Sequence, residues 1–200
     1  MPYPIAKLPY GLRCRLHDLA TPVERYNLQI AAGNPSICPP LQIIKPVNSR
    51  FYLENGKLTM KNHAWALPDL VEFGHDELVY NGRYFDFSNA SLQDLAAIPF
   101  TDYFVPTFTK IALSDCNLSS SFFKQFAESK VFANVRRVSI EGNVNANYSL
   151  NFTDLATAFP RIAYLFLFDI NVSPTWMSDI PKANHEHLNH LTCKVKKYIL

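Results

Sequence analysis

One short apolar phrase occurs four times between residues 108 and 195, and it constrains the fold more than any other feature of the chain. It reads Phe108-x-x-Ile111-x-Leu113, Val135-x-x-Val138-x-Ile140, Ile162-x-x-Leu165-x-Leu167 and Leu188-x-x-Leu191-x-Cys193. Its starts at 108, 135, 162 and 188 are 27, 27 and 26 residues apart. Apolar residues two apart share one face of a strand, and a fixed period of this length marks stacked supersecondary units. Each interval carries a second apolar group at helical spacing. Phe122, Phe123, Phe126 and Val131 serve the first, Phe152, Leu155 and Phe159 the second, and Trp176, Met177 and Ile180 the third. The plan is strand, turn, helix and return. Burying a large apolar side chain yields about 1.5–3 kcal/mol, but no single unit can bury its own apolar side, so the stack folds together.

The phrase and its period resemble the leucine-rich repeat, L-x-x-L-x-L-x-x-N/C-x-L. The first copy completes it with Cys116 and Leu118, the second has Asn143 at the N/C slot, and the third has Ile170 and Val172. The expected class is α/β. A short leucine-rich-repeat solenoid at 91–200, with parallel strands and helices on the convex side, follows a helical segment at 1–35 and a linker and β-hairpin region at 36–90. Two hairpins are expected there, because Asn-Gly fits the positive φ of a tight primed turn. One joins 50–53 to 57–60 through Glu54-Asn55-Gly56, and the other joins 78–80 to 83–87 through Asn81-Gly82. Trp65 packs the irregular stretch between them. Residues 84–87 and a short helix at 91–97, with Leu92 and Leu95 inward, read as a degenerate first repeat, Tyr84 lying 27 residues before Ile111.

The N-terminal segment reads as two helices. Leu12, Leu16 and Leu19 recur on one helical face. Thr21-Pro22-Val23-Glu24 combines a Thr N-cap, Pro at the first position and Glu at the third, and Gly33 before Asn34-Pro35 ends the second helix. This opening resembles an F-box, and its Tyr-Pro-Ile-Ala-Lys-Leu-Pro lead-in is similar to F-box-related families expanded in nematodes. The resemblance covers about 25 residues, and Asn34-Pro35-Ser36 interrupts where an F-box has a third helix. It implies docking on a Skp-type adaptor of cullin ubiquitin ligases through Leu8, Pro9, Leu12, Leu16, Leu19 and Pro22. The other reading of the same helices is a cap that seals the open end of the repeat stack.

A net charge of +2 and a pI near 8.3 do not point to nucleic acid, and the only basic cluster is Lys194, Lys196 and Lys197 near the last strand. Cys14, Cys38, Cys116 and Cys193 form no C-x-x-C pair, so neither a zinc site nor a disulfide framework is expected. Cys116 and Cys193 fall on inward positions, where a thiol acts as a small hydrophobe in a reducing compartment. With no secretory signal and no apolar run of membrane-spanning length, no membrane association is expected. The N-x-S/T sequons at Asn89, Asn117, Asn147, Asn151 and Asn171 then read as chance. Cytoplasmic or nuclear location follows. His185-Glu-His187-x-x-His190 reads as a solvated loop before a strand rather than a metal site. No nucleophile elbow, phosphate loop or dinucleotide motif occurs, so no enzyme and no cofactor are expected.

Residues between the repeat apolar positions alternate to the opposite face. They are Lys110, Ala112 and Ser114, then Arg137, Ser139 and Glu141, then Tyr164, Phe166 and Phe168, then His190, Thr192 and Lys194. One rung is wholly aromatic on a face that should be wet, and exposed aromatics mark contacts. The expected function is that of a protein-interaction adaptor, binding a protein partner through Arg137, Tyr164, Phe166 and Phe168. It would act as a substrate receptor if the F-box resemblance holds, or as a stand-alone binding module.

Overall fold

The computed structural model describes residues 5–33, 42–44, 49–62, 67–73, 78–182 and 188–194. Expectations that fall on Cys38, Trp65, His185, His187, Lys196 and Lys197 lie outside these residues. Helix α1 (Tyr10–Leu19) leads to α2 (Pro22–Ala32). The cap of α2 is as expected: Thr21 accepts from the Glu24 N–H, Glu24 accepts from the Thr21 N–H, and Gly33 closes the helix at φ 66°. Strands β1 (Ile43–Ile44), β2 (Ser49–Glu54), β3 (Lys57–Lys61) and β4 (Asp69–Leu70) follow. Then come β5 (Leu78–Val79), β6 (Gly82–Ser88), α3 (Leu92–Ala96) and α4 (Phe100–Tyr103). The repeat region supplies β7 (Lys110–Ser114), α5 (Ser120–Ser129), β8 (Arg137–Glu141), α6 (Phe152–Ala158), β9 (Tyr164–Phe168), α7 (Trp176–Lys182) and β10 (His190–Lys194).

The chain is α/β, with an open, mostly parallel sheet of eight strands in the order β10-β9-β8-β7-β6-β2-β3-β4. From β6 to β10 each strand lies beside the next in sequence, parallel and in unbroken register. Each exit from β6, β7, β8 and β9 carries a residue in the left-handed region: Asn89, Asp115, Gly142 and Asp169, with φ 51°, 50°, 70° and 52°. Asn and Asp tolerate that conformation better than other side chains. Their N–H groups extend the ladder by one bond to the next rung, from Asn89 to the Ser114 carbonyl, for example, and from Asp115 to that of Glu141.

Among the described residues, helices cover one face of the sheet only. Phe85, Phe87, Ile111, Leu113, Val138, Ile140, Leu165 and Leu167 are each at most 1% exposed and share one core with the helices' Phe122, Phe126, Phe152 and Leu155. Phe85 sits at its centre, stacked 4.3 Å from Phe87 and ringed by Phe51, Phe100, Phe108 and Phe132 within 6 Å. Helices α5 and α6 are tied through Asp154, which accepts from Ser120 Oγ and Tyr148 Oη at 2.8 Å each.

Of the two expected hairpins, the first forms. β2 and β3 pair antiparallel around Asn55 and Gly56, at φ 49° and 74°. The second does not. β5 pairs parallel with β1, and β6 lies parallel between β2 and β7. Gly82 is there for close approach rather than for a turn, since a Cβ on it would stand 2.6 Å from the Phe51 ring and 2.8 Å from the Ser49 carbonyl. β6 is a rung of the same sheet, and sheet and core run without a break across residues 90 and 91. The frame is shifted by one from the expected equivalence: Phe85, not Tyr84, stands beside Ile111. On the far side β2, β3 and β4 extend the sheet, while α2 packs on α4 and β5.

Phe85→Ala should cost about 3–5 kcal/mol of stability, whereas Tyr164→Ala on the open face should cost no more than about 1 kcal/mol. Denaturant titration of both variants reads the difference.

Candidate protein-binding face

Alternation sets three rows of side chains across the open face. At the entries of the parallel strands, and for Lys61 at the exit of antiparallel β3, Lys61, Arg50, Tyr84, Lys110, Arg137, Tyr164 and His190 are successive neighbours. The middle row runs from Thr59 and Tyr52 through Asp86, Ala112 and Ser139 to Phe166 and Thr192, over the same strands. The exit row includes Glu54, Ser88, Ser114, Glu141, Phe168 and Lys194. The central part of these rows, from Arg50 and Tyr84 through Lys110, Arg137 and Ser139 to Phe166 and Phe168, floors an open groove of about 970 Å³.

The four expected residues come together. The Arg137 guanidinium lies 5.2 Å from the Tyr164 ring and 5.6 Å from that of Phe166. On the other side the His190 ring is 5.4 Å from Phe166, and Lys194 Nζ is 6.0 Å from Phe168. Tyr164 is 39% exposed, and Phe166 and Phe168 are half-buried. The side chains that flank these rings belong to the neighbouring rungs. Cation contacts with ring faces are worth about 0.5–1 kcal/mol each at exposed sites.

The other half of the groove was not foreseen. Arg50 lies over Tyr84 at 5.6 Å and Lys61 over Tyr52 at 5.4 Å, the same pairing as at Arg137. Asp86 accepts from Tyr84 Oη at 3.2 Å and from Ser88 Oγ at 3.3 Å. Burial raises the Asp86 carboxyl above its ordinary range. Burial, with Asp86 beside it, pushes Tyr84 up to about 12. The alternations Arg50-x-Tyr52-x-Glu54 and Tyr84-x-Asp86-x-Ser88 were the available signal, hidden by reading both segments as hairpin strands.

The N-terminal residues fall into two sets. Leu12, Leu16 and Leu19 are 54%, 41% and 73% exposed, Pro9 is exposed and Leu8 is half-buried. Pro22 is buried inside the helix pair. Helix α1 buries none of its residues and turns Arg13 and His17 towards α2, where the His17 carbonyl accepts from Arg25 Nε at 2.8 Å. Leu12 and Leu19 therefore point outward, while Leu16 also lines the small hollow between α1 and α2 with Arg25, Leu28 and Gln29.

Cys116 is fully buried and donates to the Phe87 carbonyl at 3.3 Å, and burial pushes its thiol up to about 12. Among the described residues no group of three His, Cys, Asp or Glu side chains could hold a metal ion, and no helix is long and apolar enough to cross a membrane. No protein-family model, curated protein or solved structure matches the chain.

Because the fold favours its neutral form, Tyr84 contributes stability that is fully present below its ordinary pKa of 10.0 and lost as pH rises through about 12. Asp86→Asn should bring that titration down, since the carboxylate beside the phenol is one of the causes that raise it. Tyrosinate absorbance against pH, with Tyr84→Phe to identify the late-titrating group, measures the change.

Proposed function

We propose that the chain is a protein-interaction adaptor built on a short leucine-rich-repeat array, which binds a protein partner on the open sheet face and performs no chemistry of its own. One observation carries this reading: Phe166 and Phe168, with Arg137 5.6 Å from the Phe166 ring, line one end of an open groove of about 970 Å³, and Tyr164 stands exposed on the same strand. Half-buried aromatics beside an arginine have the composition of interface hot spots. The repeat assignment draws support from the 26- and 27-residue steps between residues 89, 115, 142 and 169, which share the left-handed conformation at strand exits. It draws support also from the N/C slot. Cys116 bonds back to the Phe87 carbonyl, and Asn143 Oδ1 accepts from the Leu118 N–H at 3.1 Å, each reaching the preceding rung.

The N-terminal helix pair would link the array to a Skp-type adaptor of a cullin ubiquitin ligase, making the chain a substrate receptor that works by proximity in the cytoplasm or nucleus. What favours this over a cap is the exposure of Leu12 and Leu19, with Leu16 partly turned to α2, since a sealing helix would bury them. Pro22, buried against its own helix pair, would support the contact from beneath.

Two variants test the two surfaces separately. Tyr164→Ser with Phe166→Ser should abolish co-purification of the partner while leaving the circular dichroism spectrum and melting temperature nearly unchanged; retained partner would remove the face from consideration. Leu12→Asp with Leu16→Asp should abolish co-purification with a Skp-type adaptor and spare partner binding. A wild-type chain that brings down no such adaptor would leave the stand-alone binding module.

A further inference from the structure

Charge on the open face is segregated by row. Along the entry row of the parallel strands, with Lys61 at the exit of antiparallel β3 beside it, the cation pairs Lys61–Arg50 and Lys110–Arg137 are each followed by a tyrosine, Tyr84 and Tyr164, and this row holds no acid. Among the described residues none of these four cations is in an ion pair. Just beyond the entries Arg83, Arg136 and Arg161 line a second hollow of about 560 Å³ that also holds no carboxylate. The face's acids lie further along the strands, Asp86 in the middle row and Glu54 and Glu141 at the exits. Like charges placed this close repel one another, and ring contacts at Arg50, Lys61 and Arg137 offset that repulsion without an ion pair among the described residues.

We propose that the occupant of the face is an acidic, extended protein segment lying across the strands, its carboxylates along the row of Arg50, Lys110 and Arg137 and its apolar side chains against Phe166 and Phe168. The proposal rests on the reading of this face as the partner surface. Neighbouring strands lie ~4.8 Å apart, so Lys61 to Arg137 spans four spacings, or ~19 Å, while an extended segment repeats its same-side residues every ~6.7 Å. Acids at three or four alternate positions therefore meet the whole row, and the residues between them, which project from the other side of the segment, lie towards the middle and exit rows, where Phe166 and Phe168 stand. Electrostatic complementarity of this kind sets partner choice and encounter rate. A polynucleotide fits less well, because it carries charge uniformly along its length and would meet Asp86 and Glu141 in the groove floor.

The test uses the full chain and a fluorescein-labelled peptide with Glu at alternate positions and Tyr and Ser between them, read by fluorescence anisotropy. Its companions are the same peptide with Lys for Glu and a single-stranded oligouridylate. Expected are binding of the Glu peptide alone, weakening as salt rises, and at least a roughly tenfold loss with Lys110→Glu. Lys124→Glu, on the exposed side of α5, makes the same change in net charge away from the face and should leave affinity unaltered. Equal losses in the two variants, no binding of the Glu peptide, or tighter binding of the RNA would each overturn the proposal. If the Glu peptide fails while Tyr164→Ser with Phe166→Ser still abolishes partner co-purification, the charge selection falls and the partner face stands. If that double variant retains its partner, the face itself falls.

Discussion

A parallel sheet covered by helices on one face only must meet two opposite demands with a single alternating sequence. Parallel strands are usually buried on both faces and read as continuous apolar runs. Here every second residue from β6 to β9 enters the core at 3% exposure or less, while its neighbours stay at least partly open. The phenylalanine cluster around Phe85 depends on that alternation, since a slip of one residue would put Tyr84 and Asp86 into the core and Phe85 and Phe87 into water. So does the chemistry of the face. Side chains that the core does not need are free to be arginine, tyrosine or phenylalanine, and the repeat places them in rows without further instruction.

The rungs from β7 to β10 were legible because their period is written into the local text: two apolar residues one apart, a helix, and the same again. The Thr21–Glu24 cap and the Asn55-Gly56 turn were legible for the same reason, each being decided within four residues. The second Asn-Gly pair shows where such reading stops. Asn55-Gly56 and Asn81-Gly82 are the same dipeptide, yet one turns the chain and the other lets Gly82 pass beneath the Phe51 ring. Only the parallel pairing of β2 with β6, which joins Arg50 to Tyr84 across 34 positions with no repeat to announce it, decides between them. The cationic half of the groove was lost with it. At the N-terminus, periodicity correctly grouped Leu12, Leu16 and Leu19, but a shared face says nothing of what covers it.

The two contact surfaces proposed above would suit a molecule that brings other molecules together. The outward leucines belong to helix α1, which buries nothing of its own, whereas the aromatic rung belongs to the sheet. Because the two draw on different elements, either can change without disturbing the other. The core between them, from Phe51 to Ile170, is the common support.

The stack thins towards its last rung. Leu165 and Leu167 in β9 are each 1% exposed, but Leu191 and Cys193 in β10 are only half-buried, and α6 and α7 are shorter than α5. In a nearly one-dimensional stack the free energy of local opening follows the burial of each unit and its neighbours. Of the rungs from β6 to β10, β10 is thus the one expected to open first, and β9, bearing Tyr164 and Phe166, borders it. A ligand seated on those rings would damp that fraying, so occupancy of the groove and rigidity of the C-terminal rungs rise and fall together.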